Sequence, residues 1–351
     1  MSPEKENENE YERVMKNRPH VVILGAGATM AAIPGGDKNG RRSSVMSGFI
    51  ESLGMTEILK EVKLQTNSNN LEDIYSELHC RPECNAIREE LDRRIRAYFS
   101  ELELPDEPNI YDLLLLALRK KDLVATCNWD PLLLQAYQRA SKITKDLPDL
   151  AFLHGNVLVG YCRKHKCGGI LTACCRECGE PFDPAPLLYP VAHKNYTADP
   201  YIQDNWKAIQ IKLKRAYLVT IFGYSAPKTD VEAIALMKGA WGTVEERNLE
   251  DFEFIDICDE DTLISSWQEF IHSHHYQVHK DFFSSSLARH PRRTTVELFD
   301  RTMNCIFTEA LKKFIPGMSW GNVKSLISEL VNEERELPEE GFLITHTAGW
   351  R

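Results

Sequence analysis

A mostly parallel α/β sheet covered by helices on both faces is the fold this sequence predicts, and three observations predict it. Five short apolar runs recur between residues 20 and 261, helical patterns lie between them, and the first run ends in a Gly-Ala-Gly turn. Strands alternating with helices imply βαβ crossovers, and crossovers imply parallel pairing. With 351 residues, 43% of them hydrophobic and 27% charged, the chain is long and apolar enough to bury such a core.

The elements follow in order. Residues 1–18 are polar and Glu-rich, without apolar periodicity, and read as a flexible tail. Residues 19–265 form the main domain. HVVILGAGAT, from His20, is a buried strand feeding a glycine turn, and a helical insertion with charged faces fills about 46–105. YDLLLLALRKK (111–121) is a helix, DLVATCNWD (122–130) a strand, PLLLQAYQRASK (131–142) a helix and LAFLHGNVLVG (150–160) a strand. A stretch rich in Cys, Gly and Pro follows, with a small metal module at about 160–182. The alternation resumes with NWKAIQIKLKRA (205–216), AYLVTIFGYS (216–225), VEAIALMKGAW (231–241) and FEFIDICDED (252–261). Residues 266–351 read as a helical C-terminal extension that includes VELFDRTMNCIFTEALKKF and VKSLISELVNEE. No internal repeat is visible.

Charge and composition exclude several function classes. There are 42 Lys+Arg against 52 Asp+Glu, a net charge of −10, which opposes indiscriminate binding to nucleic acid or anionic lipid. The basic trio Arg289, Arg292 and Arg293 reads as a solvated face. The longest aliphatic run, LLLLAL at 113–118, falls far short of the roughly 18 residues of a membrane span. The first twenty residues lack the apolar core of a secretory signal, so a reducing cytoplasm is expected. Five of the ten cysteines lie at Cys162, Cys167, Cys174, Cys175 and Cys178, and in a reducing compartment such clustering means metal before disulfides.

Candidate chemistry collects at the strand ends. Gly25 and Gly27 allow either a plain tight turn or close approach of the backbone to a pyrophosphate. TCNWDP sets Thr126, Asn128 and Asp130 on alternate positions near a carboxyl edge, where open α/β sheets bind ligands. Asp130, followed by Pro131, doubles as a helix cap. Asn128 is suited to holding a ribose hydroxyl or a water. His154, before Gly155, becomes a candidate proton carrier if its strand neighbours the TCNWD strand; otherwise it is a structural histidine. Cys162, Cys167, Cys175 and Cys178 make a closed tetrahedral Zn²⁺ set, although Cys174 in place of Cys175, or His165 in place of Cys162 or Cys167, fits the spacing. Gly223 and Ser225 end another strand, with Asp230 as a helix cap. Asp256 and Asp259 are placed to accept from a ribose hydroxyl, and Asp259 or Asp261 to cap the next helix. His275 and His279 stand four apart, as on one helix face, but without an acidic partner pattern they and His272 and His274 read as a surface cluster.

Taken in order, GAG at 25–27, TCNWD at 126–130, LHG at 153–155, the cysteine module at 162–178 and FGYS at 222–225 resemble the sirtuin family across about residues 20–260, two thirds of the chain. The resemblance implies a Rossmann-type NAD-binding domain with a small zinc module. It implies that His154 is the catalytic histidine, that Asn128 and Asp130 line the nicotinamide-ribose pocket, that Gly25, Ala26, Gly27 and Thr29 cradle the cofactor phosphates, and that Gly223 and Ser225 lie near the adenosine. Ile33 and Pro34 match the loop that follows, but the Asp-Phe-Arg of protein deacylases is missing, with Asp37 the nearest substitute. PLLYPVAHKNY replaces the segment that forms the acyl-peptide groove. These departures, the inserted helices and FGYSAPKTD look like the sirtuin-like domains of bacterial antiphage systems, many of which hydrolyse NAD. The expectation is therefore an NAD hydrolase in antiphage defence, controlled by a separately encoded partner or by homo-oligomer assembly. An NAD-dependent lysine deacylase and a non-catalytic NAD or ADP-ribose scaffold are the alternatives.

Overall fold

The computed structural model of the chain describes residues 14–15, 17–42, 49–189, 196, 199–224, 231–307 and 311–336. Nine strands occur among them: β1 (His20–Leu24), β2 (Leu123–Thr126), β3 (Asp149–Phe152), β4 (Val159–Cys162), β5 (Cys167–Ile170), β6 (Asp183–Pro184), β7 (Leu218–Phe222), β8 (Asp251–Ile255) and β9 (Tyr276–His279). Six form one sheet in the order β3-β2-β1-β7-β8-β9, and every neighbouring pair is parallel. The chain builds outward from β1 to β3, then returns to the other side of β1 and builds outward to β9. The order therefore reverses at β1, and in such sheets the crevice outside the carboxyl ends at that point receives ligands.

Alternate residues of the central strands bury opposite faces. Val22, Leu24, Val124, Phe222 and Ile255 meet the glycine-turn helix Ala26–Ala32, the insertion and the C-terminal helices. Val21, Ile23, Ala125, Ile221, Phe252 and Phe254 meet Trp206, Trp241 and Trp267 of the helices Pro200–Leu213, Val231–Trp241 and Glu260–Trp267. The insertion comprises the helices Phe49–Ser52, Thr56–Lys60, Leu71–His79 and Asn85–Ser100. The chain thus has the doubly covered parallel α/β sheet expected, with helices on both faces. Its small antiparallel cysteine-bearing ribbon has the order β5-β4-β6.

Three details differ from expectation. The apolar pattern from Val296 predicts one helix to Phe314, but the helix Thr294–Met303 stops where Cys305 takes φ +53° and Ile306 N–H turns back to Asp300 O at 3.0 Å. His275 and His279 lie at a strand, not on a helix face: β9 spans only four half-buried residues, too few to show an alternating pattern. Arg292 is buried at 3% exposure, contrary to a solvated face, and clamps the C-terminal helix Trp320–Glu336 through Glu334 (2.7 and 2.8 Å) while also reaching Asp146 (2.6 Å). Arg293 adds an ion pair to Glu333.

Candidate functional site

The crevice begins with backbone against backbone. Gly25 N–H donates to Phe222 O and Gly27 N–H to Gly223 O, both at 3.0 Å, tying the turn after β1 to the turn after β7. A Cβ on Gly25 would stand 2.4 Å from Gly223 O, and one on Gly223, at φ +57°, would stand 2.4 Å from Ala28 N. Those glycines are required by the meeting of the two turns, whatever else they approach. Ala26 is exposed and Gly27 half-buried at the same place.

Thr29 is the hub of the next layer. Its hydroxyl donates to Asp130 Oδ2 (2.7 Å), which leaves it only acceptor capacity toward Tyr111 OH (2.8 Å) and Asn128 Nδ2 (3.0 Å). Asn128 Nδ2 also donates to Gly25 O (2.8 Å). Both amide hydrogens of Asn128 are thus pinned, and Oδ1 is the amide atom left for a donor. Asp130 is equally committed: Oδ1 accepts from Leu132 N–H at the start of the helix Leu132–Ala140, and burial pushes its carboxyl up despite these bonds. Tyr111 was not visible as a site residue in the sequence. It is placed by a capping box in which Asn109 accepts from Tyr111 N–H (2.9 Å) and Asp112 accepts from Asn109 N–H (2.9 Å).

His154 follows β3 as Asn128 follows β2, and the two strands are neighbours, with Thr126 beside Phe152. His154 is 6% exposed. Tyr196 stacks along its ring at 5.9 Å, with its hydroxyl 3.4 Å from Nε2, and itself packs on Trp206. Gly155, at φ +83°, is crossed by the segment after the ribbon so closely that a Cβ would stand 1.9 Å from Pro186 O. Leu188 N–H donates to His154 O (2.9 Å), Arg96 of the insertion donates to Ala185 O (3.0 Å), and Tyr189 stacks on Tyr75 of the insertion (4.4 Å) and packs at a tilt on Trp129 (5.2 Å).

The ribbon gathers its donors by hairpin geometry. Cys162 and Cys167 face each other across β4 and β5, His165 sits in the connecting turn, and Cys175 and Cys178 belong to a knuckle closed by Gly179 N–H to Cys175 O (2.8 Å). Donor atoms of Cys162, His165, Cys175 and Cys178 all lie within 4.8 Å of one another, with His165 Nδ1 3.6 Å from Cys162 Sγ and 3.5 Å from Cys175 Sγ. Cys167 Sγ lies 3.6 Å from Cys175 Sγ. Cys174 is exposed and outside the group. Tetrahedral thiolate donors around zinc are separated by about 3.7 Å, so this set fits the ion. N–H groups of Cys178 and Glu177 hold the Cys175 thiol down at about 6, toward the thiolate a metal needs.

Other expected residues are placed as follows. Asp37 accepts from Asn39, Arg41 and Glu103 N–H groups and so closes its own loop. Pro34 is exposed beyond the first helix. Asp256 sits half-buried at the end of β8, accepting from Cys258 N–H (2.9 Å), and Asp259 caps the following helix through Thr262 N–H. Ser225 and Asp230 lie outside the described residues.

No family model matches this chain, and no curated protein matches it. Solved structures do. One is a Sir2 homologue in complex with NAD, 14% identical, with a TM-score of 0.39, covering 77% of this chain and 87% of that one. Another is a Sir2 homologue mutant with ADP-ribose, at 15% identity and TM-score 0.40, covering 76% and 90%. A third, Sir2Tm bound to a propionylated peptide, is 16% identical with a TM-score of 0.33 and covers 72% and 89%. Likenesses of this size carry no ligand, residue role or activity across to this chain. Among the described residues, no helix is long and apolar enough to cross a membrane.

Proposed function

We propose that this chain cleaves the nicotinamide–ribose bond of NAD with water, giving nicotinamide and ADP-ribose, and that it does so in bacterial antiphage defence under the control of a separate partner or an assembly. The observation that carries the chemical reading is the pinned Asn128 amide at the end of β2, one strand from His154. With both N–H groups held, Oδ1 accepts from a ribose hydroxyl or from the attacking water. As the bond from C1′ to nicotinamide breaks, its electron pair leaves with the nicotinamide nitrogen and an oxocarbenium centre develops. Water adds at C1′, and His154 takes the proton that this water loses. The glycine turns would set Gly25, Ala26, Gly27 and Gly223 beside the dinucleotide, with Thr29 and Asp130 supporting the amide, and Pro34 and Asp256 farther out. The ribbon would hold a structural zinc with no role in bond cleavage. Defence and its control rest on the sequence resemblance.

The segment Ala185–Tyr189, packed on Gly155 and on the insertion, favours water over an acyl-lysine chain as the nucleophile. Incubation with NAD, with and without an acetyl-lysine peptide, tests this choice. Nicotinamide release independent of peptide is expected. Release only with peptide, together with an O-acetyl-ADP-ribose product, would replace the hydrolase by a deacylase.

A further inference from the structure

We propose that the cavity beside β9 is a second binding site, built for a small oxyanion of the phosphate class. It is independent of the crevice and of the hydrolase reading. Its foundation is Glu253 on β8, only 1% exposed. Burial raises its carboxyl, but His279, then Ser286 N–H, outweigh this and hold it down at about 2. Glu253 accepts from Thr220 Oγ1 (2.8 Å), Ser286 N–H (2.6 Å) and Ser286 Oγ (3.0 Å), and His279 Nε2 lies 3.1 Å away. Because Thr220 has given its proton to Glu253, it accepts from His20 Nε2 (2.7 Å), and the row of polar groups extends beneath the sheet to Thr294 (2.9 Å). His279 lines the cavity with its Nε2 3.1 Å from Glu253 Oε1, a charge contact without an aligned hydrogen bond among the described residues.

The cavity has a volume of about 190 Å³, which at about 30 Å³ per water holds a tetrahedral oxyanion with part of its hydration. Its wall is rich in donors. Arg301 is held by Gln277, whose carbonyl, in the amide orientation that satisfies both groups, accepts from Nη1 and Nη2 (2.8 and 2.6 Å). Asp251 and Glu297 also lie near Arg301, at 3.4 and 3.6 Å, while its Nε is buried without a hydrogen bond among the described residues. Arg289 stands on the rim, exposed and without an ion pair among the described residues. Against two guanidinium groups and the carboxylate-backed imidazole stands one lining acid, Glu297, which burial pushes toward its neutral form. His290 completes the wall. Guanidinium pairs with an imidazole match the geometry and charge of a phosphate group.

Isothermal titration of the full chain with inorganic phosphate at fixed ionic strength, beside sulfate and chloride, tests the site. Saturable one-site binding is expected, weakened about tenfold by Arg289→Ala and by His279→Gln, and unchanged by Asn128→Ala at the crevice. Arg289 is exposed, so its variant tests the site without touching the core. Absence of saturable binding, wild-type affinity in both cavity variants, or an equal response to chloride would overturn the proposal.

Discussion

Among single residues, Thr29 matters most to the crevice, because one hydroxyl serves three neighbours. Thr29→Val keeps the shape but leaves buried Asp130 short of a donor and frees the Asn128 amide. Losing such a hub costs about 2–4 kcal/mol, so urea unfolding at neutral pH should shift accordingly, and a loss below about 0.5 kcal/mol would show the network to be idle. Gly155→Ala is expected to be as severe, because no L-residue fits at φ +83° with Pro186 O so close; a variant that retains wild-type thermal stability would count against the observed path of the 185–189 segment. Asn128, Asp130 and His154 were legible in the sequence because strand-end motifs reveal themselves locally. Tyr111 was not: its sequence neighbours say only that it begins a helix, and its partners lie 82 and 17 residues away. Asp130 was legible as a cap, since Asp before Pro signals one, but the bond it accepts from Thr29, 101 residues away, was not.

At the scale of elements, the ribbon is the part whose stability depends most on something other than burial. β6 has two residues and β5 is only partly buried, so the thiolate cluster must hold the strands together. Chelation at neutral pH should release about one zinc per chain and expose residues 159–184 to rapid hydrogen exchange while the six-stranded sheet stays protected; protection unchanged after metal loss would contradict a metal-stapled ribbon. His165→Ala and Cys167→Ala, compared by zinc content, decide between the two candidate donors, and the mutual distances predict the greater loss for His165→Ala. The cysteine spacing made the module legible but left His165 and Cys167 equivalent, because only the folded hairpin turn determines which side chain points back. Similarly, the helix after Thr294 looked continuous because its apolar periodicity runs past Met303, while the positive φ at Cys305 that ends it leaves no trace in a side-chain pattern.

Across the whole molecule, the parallel order was legible from alternation alone, whereas the position of the reversal was not, since no local pattern says on which side of β1 the strand at 218–222 pairs. The basic trio near residue 290 misled for the same reason: charge in sequence suggests solvent, yet Arg292 meets its acids 42 and 146 residues away. Buried His20 and half-buried His290 give the molecule a pH signature. Burial holds His20 and His290 neutral, down to about 4, below the 6.5 of an exposed imidazole. The unfolded chain then binds more protons between pH 6.5 and 4, so this stability is complete above 6.5 and is lost as the pH falls through that window, with a slope of about 1.4 kcal/mol per unit for each histidine at its steepest. Glu253, held at about 2, adds a further loss below 4.5. Denaturation midpoints from pH 7 to 4.5 should fall, and fall less in His20→Gln; a flat profile would refute the assignment. The crevice chemistry is tested by chromatography of NAD, nicotinamide and ADP-ribose after incubation with the purified chain, alone and in bacterial lysate, beside folded His154→Ala and Asn128→Ala. Equal release of nicotinamide and ADP-ribose without peptide, reduced about 100-fold or more in each variant, is the predicted result; NAD intact under both conditions, or cleavage indifferent to both substitutions, would contradict it.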